Sequence, residues 1–275
     1  MINYLKLIRP LNCLITFISV FVAAFISVGE YLPFNTVLYA ALSAALVAAA
    51  GNVINDYFDV EIDKIAHPDR PLINGKISKK NALIFYFFLN LASLIISYFI
   101  STIAFGIVLL SIILLLLYSY SLKKIILFSN YIIAWLTGMV FIYGGLVAGN
   151  AAAAVIPALF AFLINFIREI LKDMQDIKGD LTAGVVTFPA KYGSDKAQII
   201  IIALTLILIL LTFHPFIFSY YKIEYFVFVM GVVNPLLVYF LKSINSNKSE
   251  KNLSRMSILL KLNMVFGLIA IYLGK

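Results

Sequence analysis

Apolar runs of roughly 20 residues recur along almost the whole chain, and each is long enough to cross about 30 Å of hydrocarbon as a helix. The runs are continuously apolar rather than alternating, so they specify helices and not the strands of a barrel. In lipid every backbone polar group needs an internal partner, and a helix supplies one for each. With 63% hydrophobic and 12% charged residues, little is left to build a soluble domain. The expected fold is an all-α integral membrane protein, a single domain over 1–275. Nine transmembrane helices form one bundle around a central chamber. The expected spans are 11–28, 35–57, 81–101, 103–119, 129–149, 153–173, 198–213, 224–241 and 255–273. The third and fourth nearly abut at Ser101-Thr102.

The basic residues test that count. Nineteen of the twenty-one, from Lys6 and Arg9 to Lys261, fall on the side of the N-terminus and of the loops after spans two, four, six and eight. Only Lys222 and Lys275 fall on the other. Positive charge collects on the cytoplasmic side of a membrane, so the N-terminus is expected inside, in a multi-pass protein of the cell membrane. The net charge of +8 is then a property of topology and of anionic lipid contact, and no nucleic-acid partner is expected. A crowd of Phe and Tyr between Phe213 and Phe228 suits an aromatic belt at the far interface. One cysteine, Cys13, excludes an internal disulfide, and His67 and His214 lie in separate loops, so no His/Cys metal cluster is expected.

Eleven of the thirteen carboxylates share the basic side, and seven of these lie in two short segments. One runs from Asn55 to Asp63, the other from Asp173 to Asp180. Each carries three aspartates at i, i+3 and i+7: Asp56, Asp59, Asp63 and Asp173, Asp176, Asp180. On a helix this spacing keeps three side chains within roughly 60° of one face, and Asn55 borders the first set. If two such faces meet, each like-charge pair at about 6 Å costs about 3 kcal/mol at an effective dielectric of ~20. Protons or cations must relieve that. Oxygen ligands that only partly surround an ion suit Mg²⁺ shared with a phosphate-bearing substrate. Asn55, Asp59, Asp63, Asp173 and Asp176 are the candidate ligands. Lys64, Arg70, Lys123, Lys172 and Lys178 are placed to neutralise remaining phosphate oxygens. Neither segment has the spacing of an EF-hand loop, and no Walker-type loop is present. Each acid segment follows an apolar span and runs into a basic loop rich in turn residues, as an internal duplication would.

These residues resemble the UbiA superfamily of intramembrane prenyltransferases. Its first signature, Asn-Asp-x-x-Asp-x-x-x-Asp, is met by Asn55, Asp56, Asp59 and Asp63. Its second, Asp-x-x-Asp-x-x-x-Asp, is met by Asp173, Asp176 and Asp180. Arg70-Pro71-Leu72 and the opening Arg9-Pro10 fit as well. A Tyr followed by a Lys after span four is met by Tyr118 with Lys123 or by Tyr120 with Lys124. The resemblance implies a lateral chamber for an isoprenoid diphosphate. Mg²⁺ bridges it to both acid clusters, so that all six aspartates are catalytic. The allylic C–O bond ionises, and an acceptor attacks the carbocation.

The stretch from Ile8 to Cys13, with Asn12, resembles the archaeal ether-lipid branch of the family. So does Arg168-Glu169-Ile170-x-Lys172-Asp173. That branch implies a lipid-phosphate acceptor, geranylgeranylglyceryl phosphate, whose hydroxyl receives the geranylgeranyl group. Arg9, Lys123 and Arg168 are candidates to hold its phosphate. An aromatic acceptor is the nearest competing reading. A CDP-alcohol phosphotransferase would need a Gly where Ile177 follows Asp176. A cation transporter would need charges along the span centres, which are almost bare.

Overall fold

Helix starts are written locally in this chain. Pro10 opens the first span, the Ser78 hydroxyl accepts the Asn81 N–H, and the Ser249 hydroxyl accepts that of Asn252. A computed structural model describes residues 2–66, 68–182 and 184–275, with backbone alone at 30, 62, 65, 66, 124, 178 and 182. Among the described residues nine helical segments are long and apolar enough to cross a membrane. They are Pro10–Val28, Phe34–Phe58, Lys79–Ile100, Thr102–Tyr120, Phe128–Val147, Ala151–Gln175, Ser194–Ile217, Ile223–Ser246 and Glu250–Leu273. They match the nine expected spans to within a few residues. The abrupt junction of the third and fourth is also found. A single extended residue, Ser101, donates its N–H to Ser97 and caps Ala104 N–H with its hydroxyl.

The chain divides into two compact units. The first comprises residues up to Lys123 together with Met139–Ala154. Its centre is the second span, packed against the first, third and fourth. Small side chains let these helices approach: Ala24, Ala40, Ala41 and Ala104 are wholly buried beside Val20 and Val37. Apolar helices gain no hydrophobic drive from meeting in lipid, so close packing and polar contacts hold them. The Ser43 and Tyr143 hydroxyls bond at 2.8 Å, and the Ser93 hydroxyl donates to Ser43 O at 2.9 Å. Gly144 shows how tight the contact is. A Cβ there would lie 2.5 Å from Val20 O.

The second unit comprises Lys124–Gly138 and Val155–Lys275. The sixth span packs against the seventh and ninth, burying Ile164, Ile167, Ile170, Leu171 and Met174. The eighth span widens into a π turn at Val229–Val233, directly before Asn234-Pro235. Pro235 has no N–H to give the preceding turn, which accounts for the widening. Asn234 secures it by bonding the Thr212 hydroxyl at 3.1 Å, while Tyr225 donates to Thr212 O at 3.0 Å.

Candidate active site

Both acid segments are built by the same backbone device. The second span ends at Phe58, Asp59 follows, and a short helix runs Val60–Ala66. Asp59 N–H still reaches Asn55 O at 3.0 Å, and Asp63 N–H reaches Asp59 O at 2.8 Å. The sixth span's helix ends at Gln175, Asp176 follows, and a short helix runs Ile177–Thr182. There Asp176 N–H reaches Lys172 O and Asp180 N–H reaches Asp176 O, both at 2.9 Å. These bonds carry the helical register across each break, so the i, i+3, i+7 aspartates stay on one side.

In the first unit the three carboxylates meet three cations. Asp56 is only 3% exposed and accepts from Arg9 at 2.6 Å and Arg70 at 3.1 Å. Arg70 also donates to Asp63, and Lys123 donates to Asp59. Burial raises the Asp63 carboxyl above its usual range, aided by Asp56 and Asp59 and opposed by Arg70. Arg70 is positioned by its own loop. Leu72 and Ile77 bury against Leu7, Val53 and Val60, and Arg70 O accepts from Ile73 and Asn74 N–H. Arg9 caps the first span in the left-handed region, at φ 53° and ψ 74°. The strained backbone brings its guanidinium to Asp56.

In the second unit the holder of the first aspartate is neutral. Asn130, 4% exposed near the start of the fifth span, donates to Asp173 at 2.8 Å. Among the described residues Asp173 and Asp180 form no ion pair. Burial raises the Asp180 carboxyl to about 6, with the neighbouring Asp176 adding to it. Asp176 itself is exposed. Arg168 and Lys172 turn to Glu169 instead, at 3.1 and 2.7 Å.

The other expected residues fall as follows. Asn55 and Tyr118 are half-buried and Asn12 is exposed. Lys64 pairs with exposed Glu61 at 2.6 Å, which holds that carboxyl below its usual range. Lys123 reaches an aspartate, whereas the Lys124 and Lys178 side chains and His67 lie outside what is described. Asn130 was not among the expected site residues. Its signal is an amide just inside an apolar run, and its partner is 43 positions away.

Among the described residues no three Asp, Glu, His or Cys side chains form a ready-made metal cage. Mg²⁺ asks for less. It keeps several waters and takes one or two carboxylates, with substrate phosphates completing the shell. The part-buried carboxyl oxygens of Asp173 and Asp180 fit that demand, as do those of Asp59 and Asp63 if they exchange their cations.

Nine apolar helices with two aspartate turns of this build define an intramembrane prenyltransferase class, and the chain belongs to it: the UbiA prenyltransferase family matches residues 16–265. Within the class, the chain is 33% identical over 271 residues to digeranylgeranylglyceryl phosphate synthase of Methanosphaera stadtmanae, covering 98% of each. It is 35% identical over 274 residues to the enzyme of that name from Thermococcus sibiricus, covering 98% of this chain and 96% of the relative. A solved structure of digeranylgeranylglyceryl phosphate synthase superposes with a TM-score of 0.80 at 33% identity, covering 99% of this chain and 97% of that one. A UbiA homologue from Archaeoglobus fulgidus, bound to GPP and Mg²⁺, shares the fold with a TM-score of 0.70 at 19% identity, covering 98% of this chain and 99% of that one.

Proposed function

We propose that this protein transfers the geranylgeranyl group of geranylgeranyl diphosphate to the hydroxyl of geranylgeranylglyceryl phosphate, in archaeal ether-lipid synthesis. The observation that carries this reading is the repeated aspartate turn in a chain one-third identical, end to end, to enzymes of that activity. In it the site opens on the cytoplasmic side, where nineteen of twenty-one basic residues collect. Bound Mg²⁺ neutralises the diphosphate and stabilises the charge it acquires as the allylic C–O bond breaks.

The chain's own groups do the rest. Asp59, Asp63, Asp173, Asp176 and Asp180, with Asn55, hold the ions, while Asp56 anchors the first turn to Arg9 and Arg70. Arg70 and Lys123 already sit at the carboxylates, so a diphosphate arriving with Mg²⁺ meets cations at hydrogen-bonding range. The acceptor hydroxyl forms the new C–O bond and loses its proton, and diphosphate departs with the electron pair of the old bond.

The test offers purified protein geranylgeranyl diphosphate with either geranylgeranylglyceryl phosphate or 4-hydroxybenzoate, with and without EDTA. Ether formation with the first acceptor, abolished by EDTA, is expected. Product with 4-hydroxybenzoate alone would overturn the acceptor, and turnover untouched by EDTA would overturn the metal.

A further inference from the structure

The sixth span carries a second polar cluster, distinct from its aspartate turn. Glu169 accepts from Arg168 at 3.1 Å and from Lys172 at 2.7 Å. Lys261 of the ninth span lies within electrostatic range of all three. The two spans pack directly, and Asn165 donates to the Met264 sulfur at 3.9 Å about one turn deeper. Three cations therefore share one carboxylate. The next carboxylate along, Asp173, is held by Asn130 and belongs to the aspartate turn.

Two details set this apart from ordinary basic anchors. Lys261 stands eleven residues into its helix, about 16 Å along it at ~1.5 Å per residue. Its side chain is exposed, but a lysine that merely snorkels does not converge with two other cations. The Arg168 side chain is only 14% exposed, and its Nε is buried with no hydrogen-bond partner. A buried N–H left unpaired costs on the order of 1–3 kcal/mol. An anion beside Glu169 would accept that N–H and balance the excess positive charge. The excess of two matches a phosphate monoester, which carries about −1.5 to −2 near neutral pH.

We infer that Arg168, Lys172 and Lys261 form the site that holds the phosphate of the lipid acceptor. The inference rests on the acceptor reading above and gives that phosphate a definite place. Arg9 and Lys123 are engaged with Asp56 and Asp59, which leaves Arg168 as the expected phosphate holder whose surroundings are cationic. The geometry suits the reaction. Glu169 and Asp173 are four residues apart, so the cluster and the metal-binding turn are neighbours on one helix at about 6 Å. In the acceptor the free hydroxyl sits on the carbon next to the one bearing the phosphoester. A phosphate held by this cluster therefore delivers the hydroxyl beside the aspartate turn.

The experiment compares geranylgeranylglyceryl phosphate with its dephosphorylated alcohol as acceptors for wild type, Lys261→Gln and Lys261→Arg. Wild type should favour the phosphate by at least about tenfold in kcat/KM, the worth of one charge-assisted contact. Lys261→Gln should shrink that preference to about threefold or less, with the KM for geranylgeranyl diphosphate moving by less than about twofold. Lys261→Arg should restore it. A second readout needs no turnover. In EDTA, geranylgeranylglyceryl phosphate should raise the melting temperature of wild type and Lys261→Arg, and not of Lys261→Gln. An unchanged preference in Lys261→Gln, or a melting shift that survives it, overturns the site. So does a Lys261→Gln defect confined to melting in anionic-lipid vesicles, which would make a bulk lipid headgroup the occupant. Wild type acting only on 4-hydroxybenzoate is a different failure, that of the acceptor reading.

Discussion

Replacing Asn130 with alanine removes one N–H donor from a carboxylate, together with the amide oxygen that accepts from the half-buried Ser129 hydroxyl at 3.3 Å. The amide is 4% exposed, and its Nδ2 lies 2.8 Å from Asp173 Oδ2. A hydrogen bond to a charged group is worth about 1.5–3 kcal/mol, or roughly 10- to 150-fold in an equilibrium constant. Loss of a group that orients a metal ligand costs about 10- to 100-fold in metal affinity. The two estimates overlap, so half-saturating Mg²⁺ should rise by about 10- to 100-fold in Asn130→Ala. Turnover should recover largely at saturating metal, because no ligand has been removed. Asn130→Asp perturbs in the opposite sense. Two carboxylate oxygens near 2.8 Å would repel by about 6 kcal/mol at an effective dielectric of ~20. The pair then traps a proton, and its Mg²⁺ binding should become steeply pH-dependent. Mg²⁺ titration of activity measures both variants, and the Mg²⁺-dependent shift in melting temperature checks them without turnover. A folded Asn130→Ala protein whose Mg²⁺ demand stays within about twofold of wild type would refute the reasoning.

The Asp180 carboxyl, raised to about 6, holds a proton in the folded state between that value and its ordinary range near 3.8. Its contribution to stability is therefore full below the ordinary value and lost as pH rises through about 6. Mg²⁺ must displace that proton, so half-saturating Mg²⁺ should climb as pH falls below about 6, by up to tenfold per unit; a flat profile down to about pH 5 would count against it. Arg70→Ala leaves Asp63 without its cation and Asp56 with Arg9 alone. It should destabilise by about 2–3 kcal/mol at neutral pH, with melting recovering toward wild type in acid. Gly144→Ala places a Cβ 2.5 Å from Val20 O and 2.8 Å from the Ala23 Cβ. It should cost about 1–3 kcal/mol, whereas Gly267→Ala, with nothing within 4 Å, should not destabilise. Asn263 is 2% exposed with both amide atoms unpartnered. Asn263→Leu should raise the melting temperature, and a fall would mean the amide has a partner.

The spans and both aspartate triads were legible because the information is local. Apolar length decides a span, and 3.6-residue periodicity decides which acids share a face. Ser101 is a fair example. The third and fourth spans nearly abut there, and the N–H and hydroxyl of this lone serine suffice to end one helix and start the next. Residues whose role depends on a distant partner were not legible. Asn130 read as one more residue in an apolar run. Lys261 read as topological charge, because nothing near it in sequence announces Glu169. The choice between Lys123 and Lys124 could not be made from the sequence either. It depends on how the turn after the fourth span presents each side chain, and the structure brings Lys123 to Asp59.

The two aspartate turns share a backbone design but not a state of charge, and the difference bears on how a metal enters. In the first unit Asp56, Asp59 and Asp63 face Arg9, Arg70 and Lys123, so the cluster is balanced. Mg²⁺ must compete there with cations already in place. In the second unit Asp173 has a neutral donor and Asp180 is held against its proton by burial. There the competition is with one proton and with water. A divalent ion gains more where charge is uncompensated and the surroundings are part-buried. On the proposed reading the second turn is thus the better primary seat for metal. The first would become available as an incoming diphosphate drew Arg70 and Lys123 off their carboxylates, and the same side chains that quiet the acids before substrate arrives would then meet its phosphate oxygens.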